Sequence, residues 1–148
     1  MSYLVDTNLL LRFFDLADPQ NAEIVRALDT VTKASEETFV CAQVLIEYWV
    51  VATRPREVNG LGLDVADADQ NLNEIEALFL CLPEPPDIAK RWRKVVTQHS
   101  EIGKQAHDAR LVALMLSHGI SHILTLNPSD FARYPEITPL TPAEVLSL

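Results

Sequence analysis

Apolar and polar positions alternate along this chain in blocks that read as strand and helix in turn. The first block, Tyr3, Leu4 and Val5, stops at Asp6 and runs into a helical pattern over residues 9–14. Such a run predicts a buried strand that delivers one carboxylate to the carboxyl edge of a sheet, where open α/β folds bind ligands. Asp6 also suits the N-cap of the helix that follows. Pro19 fits the first turn of a second helix striped by Ile24, Val25 and Leu28. A polar break at Ser35, Glu36 and Glu37 precedes a second short strand at Phe39, Val40 and Cys41.

Residues 42–53 read AQVLIEYWVVAT, with Glu47 as the only charge. Val44, Tyr48 and Val51 share a helical face with it, so an unpaired Glu47 anion would cost several kcal/mol unless it is neutral, paired or bound to a cation. Pro55, Gly60 and Gly62 mark a loop. A helix follows over residues 64–79, then a brief strand or turn at 80–82. Pro83, Pro85 and Pro86 interrupt the pattern before a helix carrying Ile88, Trp92, Val95 and Val96. Asp108, Leu111, Val112, Met115 and Leu116 stand at offsets that put a carboxylate at the head of another buried stripe, ended by Gly119. The remainder predicts a strand at 122–126, a helical turn around Asp130 and Phe131, a last strand near 137–140 and a terminal helix from Pro142. Strands alternating with helices predict an α/β fold, a three-layer sandwich with a mostly parallel central sheet.

Length changes this picture little: 148 residues suit one domain, spanning 1–148, with a real core. No apolar run approaches the ~18–20 residues of a membrane span, and the first residues lack the pattern of a signal peptide. A cytoplasmic location is the expectation. Cys41 and Cys81, far apart and without CxxC spacing, are expected to be buried free thiols.

Charge matters more. The formal balance of −9 argues against a general nucleic-acid coat. Yet eight of the twelve basic residues fall between Arg54 and Arg110, and several on one rim would set a local field of the opposite sign. Arg54, Arg56, Lys104 and Arg110 are the candidate substrate contacts, whereas Lys90 to Lys94 equally suits a solvated helix face.

Asp6, Glu47 and Asp108 would repel one another if they met bare, and a divalent cation would cancel that repulsion. An all-oxygen set selects Mg²⁺ or Mn²⁺ over zinc, and an ion so held serves phosphodiester hydrolysis. His99, His107, His118 and His122 lack zinc-site spacing. His107 faces about 100° away from Asp108 on a helix. Trp49 and Trp92 have apolar neighbours suited to core packing. No GxSxG, P-loop or GxGxxG occurs.

The opening LVDTN, a Glu in an apolar helix some forty residues on, HDA heading a later helix and ILTLNPSDF near the end together resemble the PIN-domain ribonucleases, in particular the VapC-type toxins of toxin–antitoxin pairs. The resemblance spans nearly the whole chain. It implies a PIN-like sheet and a Mg²⁺- or Mn²⁺-dependent endoribonuclease acting on structured RNA such as tRNA. It also implies a homodimer and a small cognate antitoxin as inhibitor. Asp6, Glu47 and Asp108 match the family's acidic metal positions. Where the family often has Thr-x-Asp, this chain has Thr125, Leu126 and Asn127, so the fourth position falls to Asn127 or to Asp130. Thr7, Asn8 and Thr125 would orient the ligands. Two other readings accompany this one: a catalytically silent PIN-like adaptor and a housekeeping RNA-processing nuclease. An aspartyl phosphatase would want a second Asp two residues after the first, where Asn8 stands.

Overall fold

A computed structural model of the chain describes residues 1–34 and 37–148; Ser35 and Glu36, most of the expected polar break, lie outside the described residues. Five short strands form one sheet: β1 (Ser2–Val5), β2 (Glu37–Cys41), β3 (Leu80–Leu82), β4 (His122–Leu124) and β5 (Thr138–Leu140). Their order is β3-β2-β1-β4-β5, and every neighbouring pair is parallel. The expected mostly parallel sheet is therefore parallel throughout.

Parallel pairing needs crossover connections, and helices supply them: α1 (Thr7–Phe13), α2 (Asn21–Lys33), α3 (Ala42–Thr53), α4 (Val65–Leu78), α5 (Ile88–Gln98), α6 (Gln105–Ser117) and α7 (Pro142–Leu146). None is long and apolar enough, among the described residues, to cross a membrane. A sheet covered by helices explains the continuous apolar runs. Tyr3, Leu4 and Val5 on the central strand are wholly buried, as are Ile123 and Leu124 beside them. Each aliphatic side chain so enclosed contributes about 1.5–3 kcal/mol.

The order places a topological switch point between β1 and β4. The chain builds outward from β1 to β2 and β3, then returns to the other side of β1 to add β4 and β5. Ligands of open α/β sheets bind beyond the carboxyl ends of the strands at such a point. Val5 pairs with Leu124, and the Asp6 amide donates to the Leu124 carbonyl at 2.9 Å. Asp6 and Thr125 therefore emerge side by side there.

Two burial expectations need correction. The offsets on α6 predict a stripe of Leu111, Val112, Met115 and Leu116, but Leu116 is 42% exposed while Ala113 and Leu114 are buried. The helix is covered on more than one side because α5 packs along it. Cys41 is buried as expected, and burial pushes its thiol up to about 11. Cys81 is exposed, because β3 is an edge strand and leaves it uncovered. Lys90, Arg91, Arg93 and Lys94 are all exposed on α5, the solvated face that their spacing allowed.

Candidate metal centre

Asp6 is extended backbone between β1 and α1, and its side chain caps the helix by accepting from the Thr7 amide at 2.8 Å. The capping role and the cleft role are thus compatible: one oxygen serves the helix end while the carboxylate faces the switch point. Its other oxygen accepts from the Thr125 hydroxyl at 2.8 Å and the Asn8 amide at 3.4 Å. Thr125, wholly buried, also accepts from the Asn127 amide at 3.0 Å. Asn8 accepts in turn from the Leu126 amide at 3.3 Å, lacing the end of β4 to the start of α1.

Glu47 lies mid-way along α3, half-buried rather than enclosed. The Thr7 hydroxyl donates to one of its oxygens at 3.0 Å and the Gln43 amide to the other at 3.0 Å. Gln43 also donates to the His107 carbonyl at 2.8 Å, tying α3 to the first turn of α6. Neither an ion pair nor deep burial is needed to account for this carboxylate. Asp108 sits in that same first turn, where a helix favours negative charge.

One open cleft of about 400 Å³ collects these groups: Asp6, Thr7, Asn8, Glu47, Asp108, Asn127 and Asp130, with Leu11, Ile46, Val50 and Val51 as an apolar wall. Its electrostatics are those of crowded acids. Burial raises the Asp6 carboxyl to about 6, with Glu47 and Asp130 adding to the rise and the hydrogen bonds from Thr125 and Thr7 opposing it. Burial likewise raises Asp108 to about 6, followed by repulsion from Asp130, Asp6 and Glu47; Arg133 opposes. Asp130 therefore acts on both carboxyls as a charge, which Asn127 lacks.

Among the described residues, no three His, Cys, Asp or Glu side chains close together tightly enough to grip one ion as they stand. Both oxygens of Asp6 and of Glu47 are turned to protein donors. The donor chemistry nonetheless fits a hard divalent ion: every candidate ligand is an oxygen, and a cation in the cleft would relieve the crowding that raises Asp6 and Asp108.

None of the four basic candidates lines this cleft. Arg54 donates to the Asn59 carbonyl at 3.0 Å and closes its own loop. Arg56 borders a separate cleft with Thr53, Pro55, Glu57 and Gly62. Arg110 pairs with Glu84 and borders an apolar cavity with His107 and Trp92 on another flank of α6. Lys104 is exposed just ahead of that helix. Trp92 packs against the core and donates to the Ala106 carbonyl at 2.7 Å.

Sequence reasoning did not single out Gln43 or Arg133. A Gln four residues before a mid-helix Glu is the local signal for the first. An Arg between the buried Phe131 and Tyr134, three positions after Asp130, is the signal for the second.

Comparison with known proteins agrees with this architecture. No curated protein sequence gives a significant match. VapBC2 from Rickettsia felis, solved bound to a promoter DNA fragment, superposes with a TM-score of 0.71 at 12% identity, covering 95% of this chain and 98% of that one. A toxin–antitoxin complex from Klebsiella pneumoniae gives 0.65 at 21% identity, covering 95% and 97%. VapC20 from Mycobacterium tuberculosis, a toxin that cleaves the sarcin-ricin loop, gives 0.58 at 17% identity, covering 82% and 86%. At these identities the likeness is one of fold. The family model of the PIN domain matches residues 3–137, nearly the whole length, and the chain belongs to the PIN-domain family.

Proposed function

We propose that this chain is a Mg²⁺- or Mn²⁺-dependent endoribonuclease and the toxin of a toxin–antitoxin pair, working as a homodimer in the cytoplasm. The observation that carries the reading is the gathering of Asp6, Glu47, Asp108 and Asp130, from four separate parts of the chain, on one cleft at the switch point. Carboxylates crowded in this way are relieved by protons or by a cation, and an all-oxygen lining at the switch point suits a hard cation. Membership of the PIN family and the similarity of fold to toxin–antitoxin complexes support the same reading.

Asp6, Glu47 and Asp108 would hold the ion, with Asp130 or Asn127 completing the set. When bound, the ion supplies Lewis acidity to the phosphodiester and offsets the charge of the carboxylates. Thr125 and Asn8 fix the orientation of Asp6, while Thr7 and Gln43 do the same for Glu47. This outer set keeps the ligands from collapsing onto one another or swinging into solvent. Leu11, Ile46 and Val50 offer an apolar wall against which a nucleotide can lie while water is kept from one side.

Purified protein with a structured RNA such as tRNA provides the test. Internal cleavage in millimolar Mn²⁺, abolished by EDTA, is the expected result. Expression alone is expected to arrest growth, and co-expression of the cognate antitoxin to relieve it. RNA left intact at every metal concentration, together with harmless expression, would favour the adaptor. Cleavage without growth arrest would favour the housekeeping nuclease.

A further inference from the structure

We propose that Arg133 is a backbone-phosphate contact for RNA at the rim of the acidic cleft, and that the buried Glu101 is the residue that positions it. This deepens the ribonuclease reading and rests on it.

Glu101 follows α5, and its side chain is fully enclosed. The Tyr134 hydroxyl donates to one carboxylate oxygen; the other has no hydrogen-bond partner among the described residues. The cation it faces is Arg133, whose Nη1 stands 3.8 Å from the bonded oxygen. The guanidinium carbon lies 5.8 Å from the centre of the Tyr134 ring, and His99 meets that ring edge-on at 5.0 Å. A carboxylate taken out of water at such cost, and only partly satisfied, is poor design for stability alone. Its effect is to hold the Arg133 side chain and the Tyr134 ring in a set relation.

That relation bears on the cleft. Phe131 and Tyr134 are buried anchors, 1% exposed each, and they pin the segment following Asp130 to the core. Asp130 borders the cleft, and Arg133 follows three residues later with its side chain 29% exposed. Its charge reaches Asp108, lowering that carboxyl against the acids around it. The separation from Glu101 is too long for a hydrogen bond, so the planar fork keeps donors for a phosphate. Arg133 does not line the cleft itself; a part-exposed cation three residues beyond one of its acids suits an RNA phosphate flanking the one being cut.

The test uses a fluorescein-labelled single-stranded RNA, with binding followed by anisotropy in Ca²⁺ and cleavage in Mn²⁺. Arg133→Ala is expected to weaken binding about tenfold and to lower the slope of log affinity against log salt by about 0.7. In cleavage, KM should rise while kcat stays within about twofold. Arg133→Lys should restore the slope, since it restores the charge. Glu101→Gln should weaken binding with the slope unchanged, because the cation remains but its hold is lost. The rise in melting temperature caused by Mn²⁺ should be no smaller in Arg133→Ala than in wild type, because the charge removed faces one of the carboxylates that would hold the metal. Wild type that binds RNA, with Arg133→Ala matching it in affinity and slope, would overturn the Arg133 assignment alone. Weaker binding with an unchanged salt slope and a clear loss of melting temperature in Arg133→Ala would reduce Arg133 to a structural residue. Wild type that binds no RNA would overturn the ribonuclease reading and this contact with it.

Discussion

Asp6→Asn is expected to abolish metal-dependent RNA cleavage, by at least about 100-fold, while making the metal-free protein more stable. The two effects arise from one cause. Asp6 is largely enclosed, shares its cleft with Glu47, Asp108 and Asp130, and is raised to about 6 by burial first and by its acidic neighbours after that. At pH 7 the folded protein must keep it ionised at a cost the unfolded chain does not bear. Asparagine removes the charge and still caps a helix well, so the bond from the Thr7 amide survives, while its NH₂ replaces the oxygen that accepts from Thr125 and Asn8 and offsets part of the gain. The expected gain at pH 7 is about 1–2 kcal/mol, or roughly 2–8 °C in melting temperature for a chain of this size. Asp108→Asn should behave alike with a smaller gain, since Asp108 is only half-buried and solvent screens it. Calorimetry of the metal-free variants beside a cleavage assay checks both halves. Full activity would remove Asp6 from the site. A lower melting temperature would make its role structural.

The second large effect concerns pH and metal together. Both carboxyls stand at about 6 in the folded protein against an ordinary value of 3.8. The folded state therefore binds these protons more tightly than the unfolded chain does. The stability they contribute is fully present below about pH 4 and is lost as pH rises through about 6. The loss for the two together is on the order of 3 kcal/mol, because part of each rise is their shared repulsion and Asp108 is partly screened. Millimolar Mn²⁺, binding only the folded and deprotonated site, should restore it: about 2.7 kcal/mol at a hundred times the dissociation constant. The expected result is a melting temperature that falls between pH 4.5 and 7 without metal, recovers at pH 7 with Mn²⁺ and barely responds to Mn²⁺ at pH 4.5. A metal-free curve that is flat, or that rises across this range in step with Asp6 and Asp108, would contradict the crowding.

What the sequence made legible was local. A carboxylate at the end of an apolar run, one within an apolar helical sequence and one at the head of a buried stripe each stand out against apolar neighbours, and Asp6, Glu47 and Asp108 are the candidates for that reason, although Glu47 proves half-buried. Their meeting was not legible, because it depends on β1 lying between β2 and β4 and on a register that pairs Val5 with Leu124. Only folding decides such pairings. The choice between Asn127 and Asp130 was open for the same reason: both reach the cleft, and Asp130 alone brings a charge that the other acids feel. The basic candidates Arg54, Arg56, Lys104 and Arg110 were chosen by nearness in the chain, which says nothing of direction along a helix or loop. Glu101 carried no signal in the sequence, since its burial beside Tyr134 is made by a segment 33 residues away.

Crystals grown without metal and then soaked in Mn²⁺, with diffraction recorded for the anomalous signal of manganese, decide whether these carboxylates share an ion. The expected result is a peak in the cleft within ligating distance of carboxylate oxygens from Asp6, Glu47 and Asp108, about 2.0–2.3 Å, and no peak there in Asp6→Asn. A wild-type crystal with no peak there, or with manganese bound only elsewhere, would contradict it.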